Sequence, residues 1–194
     1  SLPTVPAGGT KKDEGGEYAA GNDVTCDLAV RQAINYALNQ QEIIDVVLEG
    51  RGQVANSVMN VNIPGYSEEI TGYSQDLEKA KALMAEAGYP DGFKTTLFAS
   101  GDVRNREAQL LEIGIEVDIQ LYEWGAFLDA INKGEHDMFI SSWSNATMDP
   151  DASIFPLFHT KNFGATGNRA FYSNPEVDQL FKDQLLLTDP DERA

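Results

Sequence analysis

One cysteine, Cys26, is the whole thiol content of the chain. It cannot form an internal disulfide, so cysteine usage does not decide the compartment. With no histidine near it in sequence, Cys26 reads as a small buried side chain beside a helix start rather than a reactive thiol. Histidine is nearly as scarce. His136 and His159 stand 23 residues apart with neither a neighbouring cysteine nor i, i+4 spacing. A protein metal site needs three or four ligands, so no metal is expected, and no cofactor. Basic residues number 14 against 31 acidic ones, for a net charge of -17 and a pI of about 4.3. Lys11 and Lys12 form the sole basic cluster. Binding nucleic acid requires a basic face, which excludes that class of partner. No apolar run approaches the ~18 to 20 residues that cross a bilayer, and the amino end lacks a charged-then-apolar export pattern. The chain as given is therefore expected neither to span a membrane nor to target itself. There is no GxSxG elbow, no histidine-containing triad and no GxGxxG phosphate fingerprint, and the carboxylates are dispersed on helix faces. An enzyme is hard to build from these parts.

What is present suits one domain with a sizeable core, or one lobe of something larger: 194 residues, 42% of them hydrophobic. Residues 1–25 hold five of the 17 glycines and two prolines, which predicts a linker or irregular leading arm. Residues 26–194 then read as a single lobe. Asp27 caps a helix with Val30, Ala33, Ile34, Ala37 and Leu38 on one stripe. Asn39, with Glu42 three residues on, caps a second that Gly50 ends, and the tight joint suggests that the two pack as a corner. From Arg51 to Gln75, Gly, Asn and Pro punctuate a long structured loop. Asp76 opens a third helix, stopped at Gly88 and followed by a YPDG turn.

Residues 93–99 and 115–122 alternate as strands. Between them only a short helical piece, Ala108 to Glu112, is visible. Seven helical residues advance ~10 Å, whereas seven strand residues run ~23 Å, so a parallel crossover looks short and residues missing near Glu107 are expected. Trp124, Phe127, Leu128 and Ile131 mark another amphipathic helix. Ile154 to Phe158 suggests a short helix despite Pro156, Asn174-Pro175-Glu176 starts a further one, and a last start at Asp189 is cut off by the chain end.

The organising stretch is Asp137 to Asp151. Met138, Phe139 and Ile140 read as a strand buried on both faces, which delivers Trp143 and the side chains of Ser144, Asn145 and Thr147 to a sheet edge. In open α/β sheets the carboxyl edge is where ligands bind. Trp143 could pack on a ligand; the competing reading is one more core aromatic. Ser144, Asn145 and Thr147 could offer donors and acceptors, or only turn bonds. Asp149 reads as a helix cap.

Five strings stand in one order: VRQAINYALNQQEIIDVVLEG, YSQDLEKAKALMAEAGYPDGF, IGIEVDIQLYEWGAFLDAINKGEHDMFISSW, DPD and YSNPEVDQLF. Together they resemble the carboxy-terminal lobe of the extracellular solute-binding proteins of ABC importers, the oligopeptide, dipeptide and nickel-binding family. The resemblance runs from Val24 to Arg193. It implies an α/β lobe of the periplasmic-binding-protein type (type II), a mixed β-sheet flanked by helices, from a monomeric protein in the periplasm or held on the outer face of the membrane. That protein would close on a peptide or other small solute and deliver it to an ABC permease, with no covalent chemistry. The other lobe would lie outside this chain.

Two departures stand out. The helix before IGIEV is one to two turns shorter than the family's. Ala146 stands where peptide-binding relatives commonly have an aspartate that pairs with the peptide amine, a contact worth ~1.5 to 3 kcal/mol. The resemblance also places Asn168 and Arg169 near the cleft, where Arg169 could take a carboxylate or simply offset acidic charge. Two alternatives remain: a carrier of a nickel chelate, sugar or other solute, and an enzyme or signalling domain reusing the fold.

Overall fold

The protein's structure, a computed structural model, describes residues 24–101, 103–144 and 149–189. Among the described residues, five of the seven α-helices begin at a side-chain cap. The Asp27 carboxylate accepts from the Ala29 N–H at the head of α1 (Leu28–Ala37), and the Asn39 side chain from Glu42 at α2 (Gln40–Val47). Asp76 accepts from Lys79 at α3 (Leu77–Glu86). Each such bond satisfies an amide with no partner inside its helix, worth ~1 kcal/mol. Val30, Ala33 and Ala37 of α1 are buried, as are Ala80 and Met84 of α3. α1 packs on α3 rather than forming the corner with α2 that the short joint suggested. The side chain of Gln109 ties α2 in instead, accepting from the Asn39 N–H at 3.0 Å and donating to Glu42 at 3.0 Å.

The sheet comprises β1 (Phe93–Ala99), β2 (Ile115–Leu121) and β3 (Met138–Phe139), with α4 (Arg104–Leu111) and α5 (Trp124–Asn132) between them. Strand order is β2-β1-β3, and among the described residues both pairings of the expected mixed sheet are parallel. Phe93, Leu97 and Ala99 of β1 face the clusters shared with α1, α3 and α4, whereas Phe98 faces Phe127, Ala130 and Ile131 of α5. The sheet is thus covered on both sides, and its carboxyl edge is set by where β1 and β2 end.

Two expectations change. The β1-to-β2 crossover closes with residues 100–114 and keeps full register from Phe93↔Ile115 to Ala99↔Leu121, so parallel pairing needs no further residues. α4 packs on β2, and Leu121 at the end of that strand is 67% exposed. The run Met138 to Ile140 is half-buried rather than buried on both faces, because no described strand lies beyond β3. After the edge come α6 (Pro150–Phe158) and α7 (Pro175–Asp183), capped by Asp149 and Asn174 with proline at the start of each.

Candidate ligand-binding edge

Three strand ends converge on one rim. β1 gives way to Ser100 and Gly101, β2 to Tyr122 and Trp124, and β3 to the segment from Ile140 to Ser144. Tyr122 is fixed there, since its N–H donates to the Ala99 carbonyl at 3.0 Å and its ring lies 4.9 Å from Phe98. Between the β1 and β2 ends and the head of α4 opens a cavity of about 550 Å³. Val103, Ile119, Leu121 and Tyr122 form its mainly apolar walls, with Arg104 and Glu107 among the lining residues.

Trp143, expected at the sheet edge after the Met138 to Ile140 strand, is 44% exposed, and Ser144 is exposed beside it. Asn145, Ala146 and Thr147 lie outside the described residues. Asp149 caps α6, its carboxylate accepting from the Asp151 N–H at 2.8 Å. By sequence Trp124 falls on the apolar stripe of α5. At the first position of that helix it is 53% exposed, stacked on Phe127 with ring centroids 5.7 Å apart. The signal was available: any residue just past a parallel strand's carboxyl end is an edge residue.

Asn168 and Arg169 are not brought to this rim. Asn168 is fully buried; its amide donates to the carbonyls of Tyr172 (2.8 Å) and His159 (3.3 Å) and its oxygen accepts from the Tyr172 N–H (3.0 Å). Every polar atom of that side chain is engaged within the chain. The Nε of Arg169 donates to Asn132 at 2.8 Å, and burial lowers the guanidinium pKa from its ordinary value. Asn132 closes α5, so a helix of ~13 Å separates this site from Trp124 at the other end. The histidines are both buried, His136 against Phe139 and His159 against Phe155 and Phe181. Among the described residues no three His, Cys, Asp or Glu side chains stand together as metal ligands.

The family model for bacterial extracellular solute-binding proteins, family 5 (middle part), matches residues 14–165. The chain belongs to this family. It is 36% identical over 179 residues to heme-binding protein A of Haemophilus influenzae, an alignment covering 87% of this chain and 32% of that protein. Glutathione-binding protein GsiB of Escherichia coli K12 is 33% identical over 178 residues, covering 85% of this chain and 35% of the relative. Among solved structures, the periplasmic binding protein DppA of Helicobacter pylori in complex with the peptide STSA superposes with a TM-score of 0.81 at 37% identity. That match covers 85% of this chain and 34% of the other. A dipeptide-binding protein from Pseudoalteromonas in complex with Met-Leu gives 0.80 at 29%, covering 88% and 36%. This family 5 chain thus spans about a third of the length of its relatives, and its α/β fold is that of the periplasmic binding proteins.

Proposed function

We propose that the chain is one lobe of a two-lobe ABC-importer solute-binding protein that captures a peptide without covalent chemistry and passes it to a membrane permease outside the cell. The observation that carries this reading is the pair of exposed indoles, Trp124 and Trp143, which follow the two outer strands of a three-stranded parallel sheet. With ~4.8 Å between neighbouring strands, those strand ends stand about 10 Å apart, a width that fits an extended peptide. Aromatic faces offer large contact area with little entropy to lose. The family match and the peptide-bound relatives support the same assignment. Closure follows from differential affinity: the closed form is favoured only because the cargo touches both lobes there. The protein acts as a monomer in the cell envelope, and its lobe includes Val24, which is buried in the core rather than lying in the arm expected to run to residue 25.

Ala146 supports a second reading, a carrier of a small solute without a free amine, since the resemblance expects an aspartate there. Calorimetry of the two-lobe protein against di- to pentapeptides and their amino-blocked counterparts separates the two. Micromolar binding of free peptides supports the first. Equal affinity for blocked peptides shows that the amine is not read, and no binding of either set overturns peptide capture.

A further inference from the structure

We propose that Asp137 is a positioning residue: its carboxylate stands in for missing strand backbone and sets the register of β3, and with it the placement of Trp143. β3 pairs with β1 over two positions only, Met138↔Leu97 and Phe139↔Phe98, continued by the Ile140 N–H donating to the Phe98 carbonyl at 3.1 Å. Below Met138 the ladder stops, which leaves the Thr96 N–H without a backbone carbonyl from β3. One oxygen of Asp137, Oδ2, takes that N–H at 3.0 Å and also accepts from the hydroxyls of Thr95 and Thr96, each at 2.9 Å.

Adjacent strand residues point to opposite faces of a sheet. Hydroxyls from Thr95 and Thr96 can therefore meet only at a group in the plane of the sheet, at its edge, where the next strand would run. Thr95 is 4% exposed, so this contact is sheltered from water. Register matters here because the two faces of β3 are unlike. Met138 and Ile140 pack with Leu97 and Ala99, whereas Phe139 packs with Phe98 and Phe127. A one-residue slip would exchange the two sets and carry Trp143 with them. With so short a ladder, the three-donor carboxylate is the strongest local determinant of that register.

The test reads Trp143 directly. In a Trp124→Phe background of this chain, Trp143 is the single tryptophan, and acrylamide quenching well below the melting temperature reports its exposure. Asp137→Ala is expected to change the quenching constant about two-fold. Asp137→Asn, which keeps one acceptor oxygen in the same place, and Thr96→Val, which removes one donor, should give smaller changes in the same direction. A carboxylate that merely adds stability would lower the melting temperature and leave quenching unchanged, and that result overturns the proposal. Should Asp137→Ala not fold, unchanged quenching in both milder variants overturns it equally. The functional half rests on the peptide reading above. In the two-lobe protein, Asp137→Asn is expected to weaken peptide binding several-fold, and to have no further effect once Trp143 is alanine. Additive losses would show that Asp137 does not act through Trp143. A wild-type protein that binds no peptide would sink the functional reading while leaving the quenching result to decide the register claim.

Discussion

Trp143 and Asn168 are opposite cases that a loop sequence does not distinguish. Trp143 is 44% exposed and follows a strand end, so little stability depends on it. Trp143→Ala is expected to shift the unfolding free energy by less than about 1 kcal/mol. In the two-lobe protein it should cost about ten-fold or more in peptide affinity, as buried aromatic anchors of a binding surface do; calorimetry against urea unfolding gives both numbers. Asn168 reverses the pattern. Its amide closes a clasp between His159 and Tyr172, with no atom left for a ligand. Asn168→Ala leaves the Tyr172 N–H and two carbonyls without their partner, for a loss of about 3 kcal/mol. The midpoint of urea unfolding should fall with an unchanged slope, and cargo affinity should stay as it was. Both residues were candidate ligand contacts by sequence, because an aromatic or an amide between turn residues looks alike whether it is exposed or buried.

Elements whose signals are local were legible. Asp27, Asn39, Asp76, Asp149 and Asn174 each cap a helix that starts where the sequence predicts, and the two alternating runs form strands, one over 93–99 as expected and the other over 115–121, ending one residue before Tyr122. What the sequence left open depends on neighbours. The Met138 to Ile140 run, expected to be buried on both faces, is half-buried with no described strand beyond it, and Arg169 is drawn to Asn132 across 37 residues of sequence. The junction of α6 and α7 is another such case. Thr160 N–H donates to Asp178 at 2.9 Å, and His159 Nδ1 lies 3.3 Å from the same oxygen. Burial pushes the Asp178 carboxyl up, but the Thr160 backbone and hydroxyl, His159 and Lys182 outweigh it and hold the pKa below its ordinary value. A depressed carboxyl contributes stability that is present above its unfolded value of about 3.8 and is lost as pH falls through the lower folded value. Asp178→Asn should therefore lower the melting temperature at neutral pH, with the gap to wild type closing only under strongly acidic conditions. Paired melting curves from pH 7 down to pH 2.5 check the sign; a gap that widens on acidification contradicts it.

For the whole molecule the two-lobe reading makes a quantitative demand. Micromolar affinity in a closed protein corresponds to about -8 kcal/mol. That net figure already includes the loss of translational and rotational freedom, ~7 kcal/mol within a wide range, so the gross contact energy is about -15 kcal/mol. If the rim at Trp124, Tyr122 and Trp143 supplies half of the contacts, this chain alone offers roughly -7.5 kcal/mol against an undiminished entropic cost of ~7. Almost nothing is left. Halving the contacts therefore does far more than halve the binding free energy, and the dissociation constant of the isolated chain should lie above about 1 mM. Titration of the chain and of the two-lobe protein with one tripeptide, read by calorimetry and by the indole emission of Trp124 and Trp143, makes the comparison. The expected result is a saturating isotherm for the two-lobe protein and no detectable heat for the chain at sub-millimolar peptide. A dissociation constant below 100 μM for the chain alone would mean that the strand-end rim is a complete site, and closure by a second lobe would then have no part in capture.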